Sequence, residues 1–176
     1  MTRTRATTPS GENLYERMIP SCLIGFSTSA AAPSINTITI SPLQVFTRLT
    51  ISSLGLYIGI AAGNVRLSLY YDNGDLPDGG TLITETPADT PAGAGKFEIN
   101  LPAPIQLNTG LYWMACNFDN AAIRVGVNAN QVGQNGTLIA RQVSPYVFGA
   151  FPDPCPVTAA TPANFPLIYA IVSGVP

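Results

Sequence analysis

The sequence predicts an all-β protein: an antiparallel, jelly-roll-like β-sandwich preceded by an extended N-terminal arm. From Asn36 onward, short segments rich in β-branched and aromatic residues alternate apolar and polar positions, the two-residue period of a β-strand. Clusters of Gly, Pro, Asn and Asp separate these segments, as turns require, and no segment has a convincing helical period. A chain of 176 residues is long enough for one domain with its own core. We therefore expect an arm over residues 1–35 and a sandwich over residues 36–176.

About ten strands are predicted, with gaps of hairpin length between them. In order, they are Thr37–Ile40, Val45–Ile51, Leu56–Ile60, Val65–Tyr71, Thr81–Thr86, Lys96–Leu101, Leu111–Phe118, Ile123–Val127, Thr137–Val143 and Pro166–Val172. In Lys96–Leu101, the alternation directs Phe97, Ile99 and Leu101 towards the core. In Val65–Tyr71, the odd-numbered residues would share the core face, and Arg66, Ser68 and Tyr70 would lie opposite. A jelly roll is favoured over an immunoglobulin-like sandwich because Trp113 does not lie within a Cys, Trp, Cys spacing.

The predicted arm lacks the alternating pattern of the strands. Residues 1–21 contain Thr, Arg and Pro without an apolar period, so we expect them to become ordered only against another surface. Its candidate docking residues are Arg3, Arg5, Tyr15 and Arg17.

Composition argues against several functions. Charged residues make up 10% of the chain, and the eight basic residues are scattered, so no basic face is predicted that would bind nucleic acid. The longest apolar run, Leu54–Gly63, is too short for a membrane helix. The chain has no histidine, the usual general base, and no nucleotide-binding or metalloprotease motif. Paired carboxylates remain open as catalysts, but most acidic residues fall in turns or on outward positions. We expect no cofactor and no enzymatic activity.

The three cysteines are Cys22, Cys116 and Cys155, too few and too widely spaced for a zinc cluster. Buried free thiols are favoured, because a free cysteine packs as a small apolar side chain. A single Cys22–Cys155 disulfide remains open.

The segment Asp72–Gly80 has two interpretations. Asp72, Asp75 and Asp78 recur at three-residue intervals and could offer oxygen ligands to calcium, although the spacing does not match an EF-hand and no bidentate Glu follows. The same segment suits a long hairpin loop, in which Gly74, Gly79 and Gly80 supply positive φ angles. We favour the hairpin and keep calcium as the alternative.

The aromatic residues also divide into two groups. Trp113, beside Tyr112, is either a sugar-stacking platform or the centre of a core, and its large buried area favours the core. The other group falls on outward or loop positions and forms the candidate receptor or subunit contact: Tyr70, Tyr146, Phe148 and Phe151. The last three lie in a Pro-rich segment of the kind that packs against a subunit or ligand.

Two stretches, "VRLSLYYDNGDLPDGGTLITET" and "GKFEINLPAPIQLNTGLYWMACNF", together resemble a β-sandwich domain of tailed-bacteriophage virion structural proteins. The matching elements are an Arg-containing strand that ends in Tyr (Arg66–Tyr71), a loop that reaches "LP" (Asp72–Pro77), a "G-x-L-I" strand (Gly80–Ile83) and a "GLYW" strand (Leu107–Ala115). The preceding "PLQVFTRLTI" is similar to the strand that leads into that domain. The similarity covers about the middle half of the chain.

The resemblance implies a non-enzymatic virion component, assembled in the host cytoplasm: a capsid decoration, head-fibre or tail-fibre protein. Its partners would be other virion proteins, bound through the arm, together with further copies of the chain, a trimer being favoured. A host-surface glycan is a further expected partner. The alternative is a carbohydrate-binding module of a secreted or surface protein, which would share the sandwich and the exposed aromatics.

Overall fold

The computed structural model describes residues 18–20, 30–33, 35–128, 140–160 and 165–174. Within these residues the secondary structure is entirely β, so no helix is present that could span a membrane. The strands are β1 (Met18–Pro20), β2 (Ala30–Ala31), β3 (Ile38–Val45), β4 (Leu49–Ile60), β5 (Val65–Tyr71), β6 (Leu82–Glu85), β7 (Gly95–Leu107), β8 (Gly110–Phe118), β9 (Arg124–Asn128), β10 (Arg141–Val143), β11 (Ala159–Ala160), β12 (Phe165–Pro166) and β13 (Ile168–Gly174).

The strands form two antiparallel sheets. The smaller sheet has six strands in the order β11-β10-β3-β8-β5-β6. The larger sheet has seven strands and is built around β4, which pairs with β7 along one edge and with β13 and then β9 along the other. Strands β1 and β2, both within the predicted arm, pair with β13 and β9. The described parts of residues 1–35 therefore join the larger sheet of their own chain.

The chain alternates between the two sheets. From β3 to β9, every connection crosses from one sheet to the other except the hairpin between β5 and β6. Such crossing is the connectivity expected of a jelly-roll-like sandwich. The prediction of an all-β antiparallel sandwich is confirmed.

The main core lies between the sheets. The smaller sheet contributes Leu67, Leu69 and Met114, and the larger sheet contributes Leu54 and Leu56, all fully buried. Their two-residue spacing places them on the inward face of each strand. The core therefore forms from the residues that alternation assigns to it.

Strand β7 follows its predicted pattern. Ile99 and Leu101 are buried and Phe97 is half-buried, whereas Lys96 and Glu98 are exposed. Among the described strands, β7 pairs only with β4, and charged residues and prolines at such an edge discourage pairing with another chain.

Several strand predictions need correction. The predicted strand Val45–Ile51 is divided by a turn over residues 46–48, and its second part is continuous with the predicted strand Leu56–Ile60 in β4. Pro42 lies inside β3, whereas the predicted strand ended at Ile40. Proline has no backbone N–H to donate, but β10 pairs with β3 at Ile38–Ile40 and has no residue opposite Pro42, so no hydrogen bond of that pairing is lost. Tyr71 was assigned to the core but is 52% exposed, because it ends β5 beyond the core.

Candidate functional site

The outer face of the smaller sheet, turned away from the main core, carries a second apolar cluster. Residues 144–158, here called the covering loop, run between β10 and β11 and lie over this face. The cluster joins sheet residues and loop residues: Ile38, Ile40, Tyr70, Trp113, Ala115, Phe151 and Cys155. Trp113 is 1% exposed, so the prediction that it is a core residue is confirmed, although its core is this second cluster.

Side chains of β5 and β6 hold the covering loop by hydrogen bonds. The Tyr70 hydroxyl donates to the Pro152 carbonyl oxygen at 2.8 Å. The Phe151 backbone N–H donates to Glu85 Oε2 at 2.8 Å. The other carboxylate oxygen, Glu85 Oε1, forms an ion pair with Arg66 Nη2 at 3.1 Å. Glu85 on β6 therefore binds the loop with one oxygen and Arg66 of the neighbouring strand β5 with the other.

The β5–β6 hairpin binds the same loop through its backbone. The Gly79 N–H donates to the Cys155 carbonyl at 2.8 Å, and the Cys155 N–H donates to the Gly80 carbonyl at 2.9 Å. The Leu82 N–H donates to Asp153 Oδ1 at 3.0 Å. This reciprocal pairing ties the hairpin and the covering loop into one unit.

Burial changes the assignment of the predicted contact residues. Tyr70 is fully buried and Phe151 is 5% exposed, so the prediction that they face a receptor or another subunit is wrong for the folded chain. Tyr70 does point away from the main core, as alternation predicts, but the covering loop closes over it. Tyr146 and Phe148 are half-buried, and Val147 between them is 78% exposed. Phe151 and Tyr146 of the covering loop pack on the outer cluster of their own sheet.

The three aspartates of the hairpin loop have different partners. Asp72 Oδ1 accepts from Trp113 Nε1 at 2.8 Å, and Asp72 Oδ2 accepts from the Asp75 N–H at 3.1 Å. Asp78 instead turns to the covering loop, where the Thr158 hydroxyl donates to its carboxylate, and Arg141 Nε lies 3.9 Å away. Within the part of the chain that the structure describes, no group of three His, Cys, Asp or Glu side chains is arranged to hold a metal ion. The hairpin is confirmed by the pairing of β5 with β6, and the calcium alternative stays a prediction.

Glycines serve two different purposes in this hairpin. Gly74 and Gly79 have φ angles of 71° and 75°, as predicted. The prediction of positive φ was wrong for Gly80, which is needed for space: a Cβ there would lie 2.2 Å from the Tyr71 carbonyl oxygen.

Two cysteine predictions are settled. Cys116 in the main core and Cys155 under the covering loop are buried free thiols, as expected, so the alternative Cys22–Cys155 disulfide is not formed; Cys22 lies outside the described residues. Burial, reinforced by the charge of Asp78 and opposed by Arg141, raises the pKa of Cys155 to about 12. Burial also raises the pKa of Tyr70 above its ordinary value. Both groups are protonated at neutral pH, which makes Cys155 a weak nucleophile.

An open depression of about 460 Å³ lies between the edges of the two sheets. Its lining residues are Arg66, Glu85, Thr86, Pro87, Asn100, Leu101 and Pro102. The two charged residues in it, Arg66 and Glu85, are paired with each other. The depression therefore offers a ligand an ion pair whose two charges already neutralise each other.

Other surface aromatics were not singled out as contacts from the sequence. Phe46 is 72% exposed, Tyr57 is 52% exposed and Tyr71 is 52% exposed. Phe46 lies in a turn and Tyr57 lies between the buried residues Leu56 and Ile58, and these positions were the sequence features that could have indicated their exposure. The predicted arm residues Arg3, Arg5, Tyr15 and Arg17 lie outside the described residues.

No protein-family model matches the chain, and comparison with curated proteins also finds no match. The resemblance to phage virion domains therefore stays a prediction from the residues that carry it.

Proposed function

We propose that the chain is a non-enzymatic structural component of a bacteriophage virion, of the capsid decoration, head-fibre or tail-fibre type. The placement of the resembling segments carries the proposal. Arg66–Tyr71 is within β5, Asp72–Pro77 is its loop, Gly80–Ile83 enters β6 and Leu107–Ala115 enters β8. Strands β6, β5 and β8 are neighbours in the smaller sheet. Pieces separated in sequence thus belong to one structural unit, as a shared domain requires.

The chemistry of that unit supports a structural role. Glu85 and Asp72 both accept hydrogen bonds that fasten the covering loop or the hairpin, and Cys155 is held as a protonated thiol. Catalytic carboxylates and thiols are instead placed where they reach a substrate with a suitable pKa. The polar groups of the outer face stabilise the domain.

The proposed partners are other virion proteins, further copies of the chain and a host-surface glycan. Within the predicted arm of residues 1–35, β1 and β2 belong to the larger sheet, so residues 1–17 are the proposed docking segment, with Arg3, Arg5, Tyr15 and Arg17 as contacts. The low proportion of charge leaves surface for subunit contacts, and a trimer is the proposed assembly. The proposed location is the virion, assembled in the host cytoplasm.

Particle composition tests the proposal directly. Phage particles from a lysate that expresses the chain from its natural gene would be purified on a density gradient and digested with trypsin. We expect the peptide Phe97–Arg124, which begins after Lys96, to sediment with the major capsid protein at a fixed ratio. Recovery of the chain in the soluble fraction alone would contradict the proposal.

Deletion of residues 1–17 tests the arm, because the variant keeps every strand described above. We expect loss from the particles while the circular dichroism and the number of subunits per oligomer of the purified protein stay unchanged. Tyr57→Ala, an exposed change on β4, is the matched surface control and should leave incorporation intact. Retention of the arm-deleted protein on particles would place docking in the sandwich. A solution mass other than that of a trimer would overturn the proposed assembly.

The carbohydrate-binding alternative, in the form that uses Tyr70, is disfavoured by the burial of that residue. A sugar ring could reach Tyr70 only after the covering loop had moved.

A further inference from the structure

One end of the sandwich exposes aromatic side chains. The β3–β4 turn, the β7–β8 turn and the end of β5 meet there, since Val45 pairs with Gly110 and Tyr71 pairs with Tyr112. Phe46 in the first turn is 72% exposed, and Tyr71 is 52% exposed. The residues of this end belong neither to the covering loop nor to the predicted arm over residues 1–35.

Tyr71 differs from the other exposed aromatics in being supported by a second ring. Its centroid lies 6.0 Å from that of Tyr112, with 40° between the ring planes. Tyr112 is 6% exposed, and its hydroxyl both accepts from the Asn108 N–H and donates to the Asn108 carbonyl, each at 3.1 Å. The supporting ring is therefore fixed by the β7–β8 turn, and Tyr71 packs against this fixed ring.

We propose that Tyr71 is a stacking platform for a pyranose ring of a neutral polysaccharide. One face of a pyranose carries C–H groups that pack on an aromatic ring, while its hydroxyl groups need polar partners at the rim. The exposed residues Asn108 and Thr109 of the β7–β8 turn provide uncharged polar groups of this kind. An ordered ring also lowers the entropic cost of binding.

The exposed apolar area fits a sugar better than a protein partner. Phe46, Tyr71 and Leu76 are 72%, 52% and 37% exposed. With full side-chain areas of about 200 Å² each, they offer roughly 300 Å² of accessible surface. A stable protein interface buries about 800 Å² on each partner. One or two sugar rings match the smaller area.

This inference deepens the proposed function by naming the ligand class of the host-facing contact, and it rests on that function for its biological setting. The binding itself can be tested on the purified chain alone. Failure of the polysaccharide site can therefore be told apart from failure of the virion role.

The test is affinity electrophoresis of the full chain in native gels that contain dextran or galactomannan, two neutral polysaccharides built of pyranose rings. We expect at least one polysaccharide to retard the chain and Tyr71→Ala to raise the apparent dissociation constant at least tenfold. Tyr71→Phe keeps the ring and should bind within about threefold of the unmodified chain. Tyr57→Ala removes a ring of equal exposure, 52%, from β4 and should leave binding unchanged.

Three outcomes would overturn the proposal: no retardation by any of the polysaccharides, equal weakening by Tyr57→Ala and Tyr71→Ala, or a Tyr71→Ala protein whose solution mass shows a lost subunit contact. Thermal melting of each variant ensures that loss of binding is not loss of folding. Particle incorporation is measured in parallel. Tyr71→Ala protein that stays on particles but loses polysaccharide binding supports the stacking site, whereas a chain that binds polysaccharide but is absent from particles contradicts only the virion role.

Discussion

The two faces of the smaller sheet are both buried, but by different means. The inner face, with Leu67 and Met114, packs against the larger sheet, whose central strand β4 is joined to β13 and β7 by long ladders with local register shifts. The outer face, with Tyr70 and Trp113, is covered by residues 144–158, which have no such ladder over it. A few hydrogen bonds from side chains and the hairpin backbone hold that loop. The contrast indicates that the outer cluster can open locally while the main core stays folded.

The largest effect is expected from the inner face. Leu67→Ala should lower the free energy of unfolding by about 2–5 kcal/mol, because it leaves a cavity at a fully buried position. Chemical denaturation followed by far-ultraviolet circular dichroism and by Trp113 fluorescence should show both transitions shifted together. Leu76→Ala, the same change at a 37% exposed position of the hairpin loop, is the control. A loss below 1 kcal/mol for Leu67→Ala would contradict the assignment of a single main core.

The second-largest loss of stability is expected from Glu85→Ala, which should weaken the outer face more than the inner face. Glu85→Ala removes the acceptor of the Phe151 N–H and the partner of Arg66, and should cost about 1.5–3 kcal/mol. Since these contacts hold the loop, Trp113 fluorescence should change at a lower denaturant concentration than circular dichroism does. Trp113 is suited to this measurement because it is the one tryptophan in the sequence.

Two further variants sharpen the same comparison. Glu85→Gln keeps an oxygen acceptor for Phe151 but loses the charge beside Arg66, so it should recover part of the loss. Glu98→Ala removes a carboxylate from β7, where the Tyr169 hydroxyl donates to it across 3.4 Å, and should have a smaller effect. Coincident fluorescence and dichroism transitions in Glu85→Ala would show that the covering loop and the main core unfold as one unit.

The inner face was predictable from the sequence, and the outer face was predictable only in part. Alternation correctly assigned Ile99 and Leu101 to the core because β7 repeats its apolar residues every second position. The same rule placed Tyr70 opposite the core, which is correct, but an exposed location does not follow. A segment that is distant in sequence covers the residue, and alternation along one strand contains no information about it.

The contacts of the candidate site show the same division. The hairpin of Asp72–Gly80 was predicted from its turn residues, whose preference for positive φ is local. The pairing of Asp72 with Trp113 joins residues 41 positions apart, and the bond between Phe151 and Glu85 joins residues 66 positions apart. Such bonds depend on how sheets and loops pack. The sequence therefore predicted which segments are turns, but not which acidic residues would fasten them.

The third prediction concerns pH. Cys155 titrates near pH 9.0 in its ordinary environment and near pH 12 in the folded chain, where burial disfavours the thiolate. Between these values the unfolded chain has lost this proton and the folded chain keeps it. The free energy of unfolding should therefore fall as pH rises from 9 towards 12, with a contribution from Cys155 of about 1.4 kcal/mol per pH unit.

Denaturation at several pH values measures this dependence. Cys155→Ala should reduce the slope by the share of that thiol, and Cys116→Ala in the main core should reduce it in the same direction, because burial also raises the pKa of Cys116. Full stability is expected below pH 9. If Cys155→Ala leaves the slope unchanged while Cys116→Ala reduces it, the thiol under the covering loop already titrates normally and the outer face is open at high pH.

The smallest effect tests whether the hairpin tip belongs to either buried face. Gly74 has a φ of 71° and no heavy atom within 4 Å of where a Cβ would be, so Gly74→Ala should cost about 1 kcal/mol from backbone conformation alone. Gly93 also has open space but lacks a positive φ, and Gly93→Ala should be neutral or stabilising by about 0.5 kcal/mol. Thermal melting compares the two variants, and Trp113 fluorescence of the native state should be the same in both.

A change of native fluorescence in Gly74→Ala would mean that the hairpin tip controls Trp113 through Asp72, because the Asp75 N–H, one residue after Gly74, donates to the same carboxylate. The hairpin would then be part of the cover on the outer face, and the division between an outer cluster held by a loop and an inner core held by strands would have to include it.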